Sequence, residues 1–302
     1  AAVLSAMLAS PAAALETKAK NVILMDYDTG EYLFAENAFV PVAPASMSKL
    51  MTVYVLFSKL KDGTLSLEDV FSVSENAWRT GGAASTMFLP IGSKVTVENL
   101  IKGIIIQSGN DACIVAAENI AGSEEDFAEL MNAKAKELGL KNSHFVNSTG
   151  LPHPDHRMSA EDLARLAQAL IRDFPEYYSV FSQKSFTYNN ILQGNRNPLL
   201  YSMPDADGLK TGHTAEAGFC LTASVKRGDR RLIGVMTGLK SNKERSEEAE
   251  KLMNWGFREF NNYKVFKQFQ RIVSVPVYMG EEKSIDLAVD EDVIMTIARS
   301  KA

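Results

Sequence analysis

At 302 residues, with 46% hydrophobic and 23% charged side chains, the chain has the composition of a globular protein with a sizeable core. A formal net charge of −5 argues against a nucleic-acid partner, because phosphate binding needs a basic face. Only Cys113 and Cys220 are available for bridging, far apart and without CxxC spacing, so buried free thiols are expected rather than a disulfide framework.

Residues 1–14 are uncharged and almost all small or apolar, and close on Pro11-Ala12-Ala13-Ala14. That is the small-residue ending a signal peptidase needs, so this stretch reads as a signal peptide remnant and implies an exported, periplasmic protein. The competing reading is a buried N-terminal helix. No apolar run reaches the roughly 20 residues that a membrane-spanning helix requires.

Residues 21–26 and 31–34, joined through Asp28-Thr29-Gly30, read as a β-hairpin. An apolar helix is predicted from about Ser46 to Lys59, ending near Asp62-Gly63. Further helices are predicted at 97–107, 111–121, 124–138 and 160–172, the last opening on Ser159 and Asp162 at capping-box-like spacing. Strand character returns at 208–214, 218–226 and 231–237, followed by a long amphipathic helix over about 243–259. Strands at both ends with a helical block between them predict an α+β catalytic domain over about 20–262. Beyond Tyr263 the segments 271–278, 284–289 and 293–297 are short and alternating, the start of a small β-rich domain over 263–302. Three strands make a thin core, so this second domain is expected to be truncated.

Three polar strings carry the chemistry: Ser46-Met47-Ser48-Lys49, Ser108-Gly109-Asn110 and Lys210-Thr211-Gly212. Only a folded domain brings them together. A serine hydroxyl needs a base within reach, and residues three apart on a helix share a face, so Lys49 can meet Ser46. Lysine acts as a base only if its pKa falls, through desolvation or a nearby cation, and Lys210 is expected to be that cation. Placing Ser46 at a helix start offers backbone N–H groups to a developing oxyanion. On a strand, Lys210, Gly212 and Thr214 share a face. The bare Gly212 is expected to let an extended peptide approach, with Lys210 and Thr214 holding its terminal carboxylate. Single strings are weak signals: Ser58-Lys59-Leu60-Lys61 and Ser74-Glu75-Asn76 match two of the patterns and read as ordinary helix or capping residues. The ordered triple is the strong one.

At these motifs, including 45–52, 108–112 and 207–214, the chain resembles the low-molecular-mass penicillin-binding proteins, serine-type D-Ala-D-Ala carboxypeptidases, over about residues 20–300. The resemblance implies the serine β-lactamase and penicillin-binding-protein type of α+β fold. It implies Ser46 as the acylated nucleophile, Lys49 as proton acceptor and Ser108 as proton relay. It further implies that Asn110 orients the substrate, Lys210 binds it with Thr211 alongside, and His213 supplies an oxyanion N–H. Arg196 and Arg245 stand where the family has arginines near the substrate carboxylate. The implied partners are peptidoglycan stem peptides, with β-lactams as covalent inhibitors. The resemblance also implies a C-terminal membrane anchor in the full-length family, expected to be absent from this chain. No cofactor is implied.

Four other readings compete with this one. A class A β-lactamase needs a Glu-x-x-Leu-Asn string, and Glu129-Leu130-Met131-Asn132 lacks that pattern. A DD-endopeptidase of the same fold is closest, and a non-catalytic penicillin-binding cell-wall protein is opposed by three intact motifs. A zinc site at His153 and His156 is disfavoured because Pro152 and Pro154 deny a helix there; those histidines and His144 are expected to be solvated.

Overall fold

The computed structural model describes residues 15–82 and 84–301, so the expected signal peptide remnant lies outside the described residues. The chain opens with strands β1 (Asn21–Asp26) and β2 (Tyr32–Glu36), then helix α1 (Lys49–Lys61). Strand β3 (Val70–Ser72), helix α2 (Glu75–Gly81) and strand β4 (Lys94–Thr96) follow. Next come α3 (Val97–Lys102), α4 (Asn110–Ala121), α5 (Glu124–Glu137) and α6 (Ala160–Asp173). Strands β5 (Ser185–Tyr188) and β6 (Ile191–Gly194) precede the short α7 (Leu199–Ser202). Three long strands, β7 (Ala206–Thr214), β8 (Gly218–Arg227) and β9 (Arg230–Leu239), lead to α8 (Asn242–Glu259). The chain ends in β10 (Phe260–Phe266), β11 (Arg271–Pro276), β12 (Ser284–Ala288) and β13 (Val293–Ala298).

The main sheet is antiparallel in the order β2-β1-β9-β8-β7. Every residue of β1 is buried, because helices cover both faces of the sheet. Successive side chains point to opposite faces: Val22 and Leu24 join the core under α8 with Leu252 and Met253, while Ile23 and Met25 join the larger core under α6. An unbroken apolar strand follows from two-sided burial. The architecture is α+β.

In that larger core, α1 is buried almost all round from Lys49 to Phe57, as expected for a helix with no polar face. Five serine or threonine caps fix helix starts by accepting an N–H three residues on: Ser74, Thr96, Ser123, Ser159 and Ser241. Ser159 caps as its sequence pattern predicts, but Asp162 does not return the bond: its Oδ2 accepts from Asn142 N and Ser143 Oγ. The predicted helix over 97–107 divides: α3 ends at Lys102 and a single π turn, Gly103–Gln107, carries the chain to Ser108.

At the C-terminal end the four strands form two separate pairs, β10 with β13 and β11 with β12. Strand β10 begins at Phe260, directly after α8, earlier than the texture change read after Tyr263. It is tied to the main sheet through Asn262 Nδ2, which donates to Asp26 Oδ1 at 3.1 Å. Both cysteines are buried and free. Among the described residues no helix is long and apolar enough to cross a membrane.

Candidate active site

A cleft of about 790 Å³ opens where the end of β7, the start of α1 and the start of α4 meet, and Ser46, Ser108 and Thr211 all line it. Ser46 does not sit on α1 itself. Residues Ala45–Ser48 form a 3-10 turn ahead of the helix, and Ala45 is left-handed at φ 49°, a strained conformation for a non-glycine residue. The turn leaves Ser46 half-buried, and Lys49, the first residue of α1, fully buried beneath it.

Lys49 Nζ lies 3.0 Å from Ser46 Oγ, 2.6 Å from Asn110 Oδ1 and 2.5 Å from the Thr149 carbonyl. Burial is the leading cause that lowers its pKa, and the Arg196 charge adds to it, against the opposing pull of Cys113, Asp111 and Glu124. The expectation that the Lys210 charge does this work is corrected: removal from water dominates. Lys210, itself 2% exposed, is pushed well below the ordinary lysine range by burial and then by repulsion from Lys49 and Arg196. Its Nζ donates to Ser108 Oγ at 2.9 Å and to the Thr211 carbonyl at 3.1 Å. Ser108 is left-handed, φ 65°, at the exit of the π turn, which swings its hydroxyl into the cleft between the two lysines' elements.

Strand β7 is an edge of the main sheet, and Thr211, Gly212 and His213 line the cleft along it. The expected reason for Gly212 needs correction. A Cβ there would stand 3.0 Å from Ala45 Cβ and 3.1 Å from the Pro44 carbonyl. The missing side chain lets β7 close on the turn that carries Ser46, not on an incoming peptide. Thr214 is not brought into the cleft; its hydroxyl accepts from Ala217 N at 3.0 Å in the turn to β8. His213 is exposed, its ring 4.0 Å from that of Phe219.

Both expected arginines reach the cleft. Arg245 is 6% exposed, and burial lowers its pKa to about 10. It donates to Asn242 Oδ1 at 2.5 Å and, over 3.3 and 3.4 Å, to the Cys220 and Gly212 carbonyls; its buried Nε has no partner among the described residues. Arg196 stands at the exposed mouth and donates to Ser85 Oγ at 2.6 Å. The weak matches are structural: Ser58 Oγ donates to the Tyr54 carbonyl, and Ser74 caps α2.

Two features escaped the sequence reading. The first is the Thr149 carbonyl. Asn147 Oδ1 accepts from Thr149 N, Thr149 Oγ1 and Gly150 N, an Asx-type turn. Gly150, at φ 78°, lies so close to the nucleophile turn that a Cβ would sit 2.1 Å from the Ala45 carbonyl. The signal was Asn147-Ser148-Thr149-Gly150 itself, a turn string. The second is His156, expected in solvent but 2% exposed, its Nδ1 accepting from Val146 N; burial lowers its pKa to about 4. Among the described residues no three His, Cys, Asp or Glu side chains are grouped to hold a metal ion.

A hydroxyl paired with a desolvated lysine beside an open strand edge, on a helix-covered antiparallel sheet, defines a serine acyl-transfer enzyme of the β-lactamase and penicillin-binding-protein fold. Residues 7–241 match the peptidase S11 family, D-alanyl-D-alanine carboxypeptidase, and the chain belongs to that family. It is 43% identical over 288 residues to the D-alanyl-D-alanine carboxypeptidase DacA of Escherichia coli K12, covering 94% of this chain and 72% of the relative. It is 45% identical over 284 residues to DacC of the same strain, covering 92% and 71%. Penicillin binding protein 5 from Haemophilus influenzae superposes with a TM-score of 0.91 at 39% identity, covering 95% of this chain and 84% of that one. The protein is a serine-type D-Ala-D-Ala carboxypeptidase.

Proposed function

We propose that Ser46 is the nucleophile and Lys49, as a neutral amine, its base. One observation carries this reading. A neutral amine has two N–H donors and one lone pair. Asn110 Oδ1 and the Thr149 carbonyl take the two donors at 2.6 and 2.5 Å, which leaves the lone pair for the Ser46 hydroxyl at 3.0 Å. Burial lowers the pKa of the amine and so favours the form in which that lone pair is free.

Lys49 takes the Ser46 proton as Oγ bonds to the penultimate D-alanine carbonyl carbon. Backbone N–H groups of Ser46 and His213 hold the oxyanion. Lys210, Thr211 and Arg245 hold the terminal carboxylate, with Arg196 at the mouth, and Asn110 orients the peptide through its amide. The C–N bond then breaks, and the departing D-alanine amine receives the proton through Lys49 or Ser108. Water hydrolyses the acyl-enzyme. The substrates are peptidoglycan stem peptides outside the cytoplasmic membrane, and a β-lactam stops the cycle at the acyl stage.

Incubation with benzylpenicillin followed by peptide mass spectrometry tests the assignment. The expected result is one adduct on Ser46. An adduct on another residue, or none while D-alanine is still released, overturns it.

A further inference from the structure

The mechanism leaves one buried carboxylate at the cleft unused. Asp111, the second residue of α4, is 1% exposed and follows Asn110 directly. Its Oδ1 accepts from Met87 N at 2.9 Å and from its neighbour Ala112 N at 2.9 Å. Its Oδ2 accepts from Thr86 Oγ1 at 2.5 Å and from Leu89 N at 3.1 Å. Three of these four donors belong to one irregular segment, 85–89, which has no helix or strand of its own.

That segment forms part of the cleft wall. Ser85 lines the cleft, and its hydroxyl accepts from Arg196 at 2.6 Å. Its carbonyl accepts from Asn110 N at 2.7 Å, so the same residue also braces the asparagine that holds Lys49. From β6, Gln193 Nε2 adds a bond to the Met87 carbonyl at 3.0 Å. A charged acceptor with several donors is a strong anchor, and a buried donor left without one is costly.

We infer that Asp111 is a positioning residue for the reaction: its carboxylate clamps segment 85–89 to the Ser108-Gly109-Asn110 turn and so sets where Ser85 and Arg196 meet the substrate. The inference rests on the carboxypeptidase reading of the cleft. It adds that affinity for the D-Ala-D-Ala end depends on a residue that touches no substrate.

D-alanine release from a short peptide ending in D-Ala-D-Ala, measured for the wild type, tests the reading of the cleft first. Three variants then test the clamp: Asp111→Asn, Ser85→Ala and the double variant. With charge-assisted bonds lost, Asp111→Asn is expected to raise KM about tenfold while kcat stays within about threefold. Ser85→Ala alone raises KM, and the double variant is no worse than Asp111→Asn, because the clamp acts through Ser85. A thermally stable Asp111→Asn with wild-type KM overturns the inference, as do additive effects in the double variant. If Asp111→Asn fails to fold, Thr86→Val decides. It cuts one bond to the carboxylate and spares the backbone ones: a KM about threefold higher supports the clamp, and an unchanged KM sinks it.

Discussion

Beneath the cleft, Lys49 and Lys210 lie out of water among hydroxyls and carbonyls. In β10–β13, Lys264 and Arg271 stand in solvent opposite Asp292 and Asp286. Under the cleft, burial leads and lowers both amines. In the C-terminal strands a hydrogen bond leads, and it lowers the carboxyls: Ser274 and then Arg271 act on Asp286, and Lys264 acts on Asp292. The same kinds of group are thus prepared for opposite ends. Where water is removed, a cation holds its proton less tightly; where water remains, a charge only finds a partner.

The sharpest break of that comparison is Lys49→Arg, which keeps a cation under the cleft but one that cannot deprotonate. Acylation by penicillin is expected to slow about 10²- to 10⁴-fold, read by stopped-flow. Acylation within tenfold of wild type would mean that the buried amine is not the base. In the wild type the acylation rate should rise with pH as Lys49 loses its proton, and the lowered pKa places that limb below the ordinary lysine range.

Next in size is the buried histidine. His156 has a folded pKa of about 4 against 6.5 in the open chain, lowered by burial. The unfolded chain therefore binds the extra proton between these values. The stability His156 contributes is complete above pH 6.5 and is lost as pH falls to about 4, some 3 kcal/mol over that window. Urea melts of wild type and His156→Asn at pH 7 and pH 4 should show their stability difference changing by about that amount. Parallel curves would mean that His156 is not desolvated in solution.

The smallest effect belongs to the exposed strands. Arg271→Ala removes the pairing with the solvent-exposed Asp286, and its melting temperature should match the wild type's. A clear drop would show that these strands are less open to water than Arg271 and Asp286 suggest.

Side-chain strings and periodicity made much of this legible in advance. The strands over 208–237, the long α8 and the hairpin at the N-terminal end follow from alternation, apolar spacing and turn residues. The hairpin of β5 and β6 was missed although Asn189 and Asn190, both left-handed, form the two-residue turn that such pairs favour. Strand β10 was missed for a different reason: residues 260–266 take extended form only by pairing with β13, over 25 residues further along the chain.

The candidate site divides the same way. Ser46, Lys49, Ser108 and Lys210 were picked out because their chemistry resides in side chains. The Thr149 carbonyl and the left-handed Ala45 and Ser108 were not, because a backbone group or conformation has no letter of its own; the Asp111 carboxylate was not, because its partners at 86–89 lie more than 20 residues away in the chain. Gly212 was picked out for the wrong reason, since a glycine's neighbour across space is not written beside it.

Which groups are present was therefore settled by the order of amino acids alone: two serine hydroxyls, two amines and two guanidinium groups at fixed places in the chain. How they behave was decided by the tertiary structure, because desolvation is a property of surroundings. Only when α1, α4 and β7 pack together does water leave Lys49, and only then does the pKa of an ordinary lysine fall towards that of the base proposed here.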